Sequence, residues 1–300
     1  MAGVPGERTV ARAVADRTGG RKAPPDLAAA PRYDCGAINR RETTHMKRAT
    51  IAALFGAASI SGAMSAAAAS AADAAPPGVA AAIADPARPQ ADRDLDAARK
   101  PAQTLAFIGL KPGDKVVDVF PGLYFDRLFA DVVGPSGKVY MFIPAEVVKI
   151  KEAPAVPNGS TPFPDHPNAV SLTAPINAFS IPDSVDVVWI RQNYHDLHDK
   201  FMGPADVPAF NKAVFKALKP GGEFIVIDHA APDGSGLADT DTTHRIDAAQ
   251  VKKEVTAAGF VFAGESDILR NPADPRTAKV FDPSIRGHTD QFIYKFHKPA

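Results

Sequence analysis

The chain has 300 residues, 34 Lys+Arg against 34 Asp+Glu, and 45% apolar residues, enough to bury a core in one or two domains. Ordinary aromatic (8%) and charged (23%) fractions exclude collagen-like, coiled-coil and wholly disordered chains. A single cysteine, Cys35, excludes an internal disulfide framework and a Cys-rich zinc site, and the zero net charge argues against nucleic acid as the main partner.

These averages hide a boundary. Residues 46–71 read MKRATIAALFGAASISGAMSAAAASA: Lys47 and Arg48, an apolar stretch from Ile51 to Ala69, then the small-x-small triplet Ala69-Ser70-Ala71. That is the layout of a secretory signal peptide, so cleavage after Ala71 and export to the periplasm are expected. Residues 1–45, rich in Arg, Ala, Gly and Pro without apolar periodicity, read as a non-native or disordered extension upstream of a true start at Met46. A twin-arginine signal through Arg40-Arg41 is the rival reading, but Glu42-Thr43-Thr44 follows where apolar residues are required. Gly56, Gly62 and four serines leave 46–71 too weakly apolar for stable membrane insertion. Residues 72–91, with Pro76-Pro77-Gly78, Pro86 and Pro89, read as a flexible leader, and one domain is expected over 92–300. The charge divides accordingly: 8 basic and 5 acidic residues in 1–45, 2 and 0 in 46–71, 24 and 29 in 72–300.

From Asp92 the pattern alternates. Leu95, Ala98, Leu105, Ala106 and Ile108 predict helices around Pro101, a lid ahead of the first strand. KVVDVF (115–120) is a short, nearly continuous apolar run of the kind buried parallel strands show; DRLFADVV follows with helical spacing, then KVYMFI (138–143) as a strand. A Pro-rich loop (151–168), the strand NAVSL, the strand SVDVVWI (184–190), a helix over 205–218 and the strand EFIVIDH (223–229) come next. A helix over 247–258, the strand FVFAGESDI, a long loop (270–288) and the strand QFIYKFH (291–297) complete the chain. Alternating strands and helices predict a mostly parallel sheet wrapped on both faces, with the last two strands antiparallel.

On these residues the chain resembles the class I S-adenosylmethionine (SAM)-dependent methyltransferase fold, and within it a group of exported bacterial predicted methyltransferases. KPGDKVVDVFPG resembles the first strand and nucleotide loop, ALKPGGEFIVIDH the helix, turn and fifth strand, and VKKEVTAAGF the passage into the closing hairpin. Gln192-Asn193-Tyr194-His195-Asp196 and His244-Arg245-Ile246-Asp247 are the distinctive matches to the group. The resemblance implies a doubly wound, seven-stranded α/β sheet with an antiparallel last strand, SAM as cofactor and a small-molecule substrate.

Ligands of an open parallel sheet bind beyond the carboxyl ends of the strands, where strand order reverses. Asp118, Gly122 and Tyr124 after the first strand, with Glu146 after the second, are where the resemblance puts contacts to the cofactor's methionine and ribose groups. Family loops carry two or three glycines; here Leu123 and Tyr124 take the later positions, and Glu146 equally suits the first turn of a helix. Arg191 to Asp199 adds Asn193 toward the cofactor and a cluster of Tyr194, His195 and His198 together with Asp196 and Asp199, suited to acid-base work. Asp228-His229 and His244 complete the catalytic set, and the three segments are expected to converge on one pocket.

His195 or His229 suits a base that deprotonates a nucleophile for methylation. The same residues suit a SAM-independent periplasmic lyase, isomerase or hydrolase, or a binding crevice without chemistry. A metal on His195, His229, His244 and a carboxylate is chemically reasonable, yet the spacing matches no standard motif and no metal is assigned. Arg245 is expected to pair with Asp247 or Asp228, and Asp247 to cap the following helix.

Overall fold

A computed structural model describes residues 75–150, 156–203 and 205–300. The expected extension and signal peptide lie outside the described residues; among the latter no helix is long and apolar enough to cross a membrane. The first element already departs from expectation. Within the segment read as a flexible leader, α1 (Pro77–Ala84) is a helix that opens on a proline and buries Val79 and Ala82. The apolar valine and alanines pack in the same core as Leu105 and Leu128, which gives this Ala-rich turn a tertiary partner that composition alone does not reveal.

Three short helices follow, α2 (Gln90–Arg93), α3 (Asp96–Arg99) and α4 (Pro101–Ile108), and they form the expected lid. Strand β1 (Lys115–Val119) leads to α5 (Tyr124–Val133), β2 (Lys138–Pro144) to α6 (Ala145–Ile150), then β3 (Ala169–Ala174) and β4 (Val185–Arg191). Helix α7 (Val207–Ala217) passes directly into the long β5 (Leu218–His229); α8 (Thr240–Thr243), α9 (Ala248–Ala257), β6 (Val261–Ser266) and β7 (Gln291–His297) end the chain. At the α5–β2 turn a side chain is excluded, because a Cβ on Gly137 would stand 2.5 Å from Val133 Cβ and 2.6 Å from the Asp114 carbonyl.

The seven strands lie in the order β3-β2-β1-β4-β5-β7-β6. Five are parallel and β7 runs antiparallel to both β5 and β6. Side chains alternate across the sheet as pleating requires. Val188 and Ile190 of β4 and Phe224 and Val226 of β5 face the helices that carry Phe210, Val214, Val251 and Val255. Val187 and Trp189 of β4 and Ile225 and Ile227 of β5 face α1, α4 and α5. Trp189 is 1% exposed and sits edge-on to Phe129 at 5.4 Å and tilted against Phe125 at 5.0 Å. Burying a side chain of this size contributes about 2–3 kcal/mol.

The long loop between β6 and β7 has no regular structure but is pinned from inside. Arg245 is wholly buried and donates from Nη2 to both Asp274 oxygens (3.0 and 2.9 Å), from Nε to Ala278 O and from Nη1 to Ala230 O. The expectation that Arg245 pairs with Asp247 or Asp228 is therefore corrected: both are occupied elsewhere, and the loop brings its own carboxylate. Asp274 in turn accepts the Arg276 and Asp290 amides. Removing one member of a buried pair leaves the other charge uncompensated, at a cost of about 3–5 kcal/mol. Asp274→Ala is expected to lower unfolding stability by that amount in urea titrations; a loss below about 1 kcal/mol refutes the pinning role.

Candidate functional site

The strand order reverses between β1 and β4, and beyond their carboxyl ends lies a crevice of about 320 Å³, within the range of small-molecule sites. Its floor is Asp118 of β1, Phe120 and Gly122 after it, and Gln192, Asn193, His195 and Asp196 after β4. His229 and His244 supply one wall, the lid residues Leu95 and Arg99 another, and Phe281 and Thr289 of the long loop the third. The expected convergence of the three histidine-bearing segments is thus realised at one pocket.

The β1 loop turns without the glycines its role calls for. Phe120 (φ 65°) and Leu123 (φ 68°) adopt the left-handed conformation that glycine normally takes. Gly122 keeps the backbone accessible, since a Cβ there would meet nothing within 4 Å. Tyr124 is 2% exposed and its hydroxyl donates to Asp96 Oδ1 at 2.5 Å, while Arg127 Nε reaches Asp92 Oδ2 at 2.8 Å. Tyr124 therefore both lines the crevice and ties the lid to α5, with Arg99 stacked 4.4 Å over its ring.

Asp118 and Asp126 are buried together beneath this loop. Burial and the neighbouring Asp126 push Asp118 well above the usual carboxylate range; burial likewise pushes Asp126 up to about 6, although the Leu123 amide donates to its Oδ2 at 2.8 Å. Burial beside a second carboxyl thus favours the protonated form of Asp118. Glu146 does not join them. Both its oxygens accept the Ile176 amide at 3.2 Å, and it anchors the turn after β3 outside the crevice lining.

After β4 the tight turn 195–198 splits the expected cluster into two. Tyr194 is wholly buried; its hydroxyl donates to Glu254 Oε2 (3.0 Å) and accepts from Asn211 Nδ2 (2.8 Å). His198 Nε2 stands 3.2 Å from the same Glu254 oxygen. Tyr194 and His198 therefore fasten the turn to α9 and do not line the crevice. Glu254, next to the buried Val255 of α9, carries no signal in the sequence because a lone helical Glu has none there.

His195 faces the other way. Asp228 receives both its backbone amide (Oδ2, 2.8 Å) and its Nδ1 (Oδ1, 2.8 Å), and also the His229 amide (2.7 Å). On the far side His195 Nε2 is 3.3 Å from Asp196 Oδ1, while Asn193 Nδ2 donates to Asp196 Oδ2 at 2.6 Å. Asn193 lines the crevice but spends its amide on Asp196. Burial opposes a charge on His195, yet the flanking Asp228 and Asp196 outweigh it and hold its pKa well above the ordinary value. His229, 6.1 Å away ring to ring, goes the opposite way: burial and the His195 charge push it well below. Its Nδ1 is 2.6 Å from Thr289 Oγ1; in the tautomer that donates there, Nε2 remains an acceptor for a crevice ligand. Two neighbouring imidazoles with divergent pKa values are the arrangement of an acid and a base.

Asp199, read in the sequence as a flanking carboxylate of this cluster, stands beside the crevice histidines. Asp199 is 1% exposed, burial pushes it up to about 6, and it stands 3.8 Å from His244 Nδ1, which is equally 3.8 Å from Asp196. Asp247 caps α9 as expected, accepting the Ala249 amide at 2.9 Å.

The strand order with β7 antiparallel between β5 and β6, together with a crevice over β1 and β4, is that of the Rossmann-like class I SAM-dependent methyltransferase fold. No protein-family model matches the chain. The ubiquinone/menaquinone biosynthesis C-methyltransferase UbiE of Ectopseudomonas mendocina is 25% identical over 195 residues, covering 64% of this chain. The match takes in 66% of that protein, so the chain spans just under two thirds of the relative's length. Among solved structures, a SAM-dependent methyltransferase from Aquifex aeolicus is similar with a TM-score of 0.46 and 18% identity over 70% of this chain and 98% of that one. The N-methyltransferase NodS from Bradyrhizobium japonicum is similar with a TM-score of 0.43 and 12% identity over 70% and 99%.

The Asp118–Asp126 pair predicts a pH dependence of stability. Asp126 ionises at about 6 in the folded chain against 3.8 ordinarily, so its contribution is fully present below the ordinary value and is lost as pH rises through about 6. The loss is on the order of 3 kcal/mol. Asp126→Asn keeps an acceptor for Leu123 and supplies a donor to Asp118. It is expected to lessen the fall in stability between about pH 4 and 6.5 in urea unfolding, the remaining slope coming from Asp118; an unchanged wild-type slope rejects the raised pKa of Asp126.

Proposed function

We propose that the protein is a SAM-dependent methyltransferase acting on a small molecule, with His229 as the base that takes the nucleophile's proton. The observation that carries this reading is the crevice at the β1/β4 reversal, which opens on a backbone-accessible Gly122, the buried Asp118 and the neutral His229. The similarity to UbiE supports the same class.

The β1 loop and Asn193 would hold the methionine end of SAM, where Gly122 leaves room for a ligand against the main chain. SAM supplies an electrophilic methyl group when bound. The chain's own part is positional and protonic. His229 Nε2 accepts a hydroxyl or amine proton, and Thr289 fixes its ring through Nδ1. Phe125, Trp189 and Phe281 give the walls an aromatic lining suited to a planar acceptor, while Tyr124 and Arg127 hold the lid over it. Glu146 is committed to Ile176, so recognition of the ribose falls to other groups or to water.

Calorimetry with SAM is the decisive measurement. Saturable heat with about one site per chain is expected; no heat and no thermal shift at millimolar SAM overturns the reading in favour of a lyase, isomerase or hydrolase built on the His/Asp cluster. With an identified acceptor, His229→Gln is expected to lower kcat by about 10²- to 10⁴-fold while SAM affinity stays within about twofold. Equal activity removes His229 from the mechanism. The export signal read in 46–71 supports action in the cell envelope. Osmotic-shock fractionation is expected to release a shortened chain, and recovery of the full-length chain in the cytosol contradicts that placement.

A further inference from the structure

We infer that the crevice contains a binding site for a divalent transition-metal ion, formed by His195 Nε2, Asp196 Oδ1 and His244 Nδ1, with the buried Asp199 carboxylate beside His244 supporting it. The inference goes beyond methyl transfer and does not depend on it.

Geometry comes first. One ligand atom each from His195, Asp196 and His244 lie within 4.8 Å of one another. The individual separations are 3.3 Å from His195 Nε2 to Asp196 Oδ1 and 3.8 Å from His244 Nδ1 to Asp196 Oδ1. Donors bound at about 2.0–2.2 Å to one ion in tetrahedral geometry stand about 3.3–3.6 Å apart, so both separations to Asp196 Oδ1 are within a few tenths of an ångström of those around one cation. His244 Nδ1 lies another 3.8 Å from Asp199 Oδ2.

Asp199 is the independent observation. It is 99% buried by exposure, and neither carboxylate oxygen has a hydrogen-bond partner among the described residues. The nearby Thr240 hydroxyl bonds Leu237 O at 3.4 Å and gives Asp199 only a minor favourable contact. A buried carboxylate without a hydrogen bond is costly, and this one stands 3.8 Å from His244 Nδ1, one corner of the His195–Asp196–His244 triangle.

The outer contacts are those of a metal site as well. His195 gives its Nδ1 proton to Asp228 at 2.8 Å, which turns Nε2 toward Asp196 and His244, the carboxylate–histidine–metal arrangement. Asn193 holds Asp196 by Oδ2 and leaves Oδ1 for the ion. His244 is presented from a left-handed residue (φ 56°) at the end of α8, with its ring 5.0 Å from Phe281. Two imidazoles and a carboxylate without a thiolate, with a second carboxylate beside His244, suit Zn²⁺, Mn²⁺ or Fe²⁺. Because His195, Asp196 and His244 line the crevice, the bound ion presents an open position to a crevice ligand. Binding displaces the Nε2 proton of His195 to solvent.

The test uses the purified chain without SAM. Elemental analysis of protein prepared without chelator is expected to find about one transition metal per chain, and EDTA-stripped protein titrated with Zn²⁺ or Mn²⁺ is expected to give one saturable site. Asp199→Asn, which is isosteric, and His244→Ala are each expected to weaken binding by at least about 100-fold, and Asp228→Asn by about 10- to 100-fold. His166→Ala, whose imidazole pairs with Asp131 far along the chain, leaves affinity unchanged. Absence of metal together with no saturable heat overturns the site, as do unchanged affinities in the folded Asp199→Asn and His244→Ala proteins. Since no SAM is present, failure here leaves the methyl-donor reading standing, and failure of the SAM titration leaves the metal site standing.

Discussion

The crevice depends on one buried carboxylate. Asp228 ends β5 with no exposure and accepts three N–H donors: the His195 amide, His195 Nδ1 and the His229 amide. Two of the three come from the loop after β4, so the register of β4 on β5 is carried past the end of the sheet into the loop that bears the chemistry. A short side chain saturated in this way costs little beyond its desolvation, whereas any donor lost would be stranded in a water-poor site. Everything that follows in the pocket, from the tilt of the His195 ring to the direction of Nε2, is set by that contact.

The electrostatics follow from it. Asp228 and Asp196 enclose His195 and favour its charged form; that charge, with burial, keeps His229 neutral. Two histidines reached from adjacent strand ends thereby differ in protonation without any exotic neighbour. Asp118 and Asp126 repeat the logic with carboxyls, since two acids placed side by side out of water hold on to a proton. The crevice is thus populated by groups held away from their solution behaviour, as ligand sites commonly are.

Much of this architecture was legible in the residues, and the reason is periodicity. QFIYKFH matches β7 end to end, and KVVDVF, KVYMFI and EFIVIDH fall within a residue or so of β1, β2 and the latter part of β5, because continuous apolar runs between turn signals have few other uses. The segments that meet at the pocket were legible too, since strand ends in a parallel sheet converge by construction. Individual side-chain directions were not. His195 and His198 are three residues apart and chemically alike, yet one turns to Asp228 and the other to Glu254, a choice made by α9, 56 residues downstream of His198. Arg245 found Asp274 rather than its sequence neighbours for the same reason, and α1 found a core that its alanines do not advertise. Contacts of long sequence separation decide these cases.

The backbone supplies the last link. Phe120, Leu123, Gln192 and His244 all hold positive φ, and all four stand in crevice loops where a glycine would turn at no steric cost. Each such residue costs about 1–2 kcal/mol, which the surrounding contacts must offset. The contacts are present: Phe120 is in the core, Gln192 donates to Gln291 across to β7 at 3.0 Å, and His244 rests on Phe281. A glycine at these positions would also leave the loops free to move. The side chains that replace it lock the loops in place, and those of Phe120, Gln192 and His244 also put a ring or an amide into the pocket, so the glycine-poor β1 loop is one instance of a pattern that runs around the crevice.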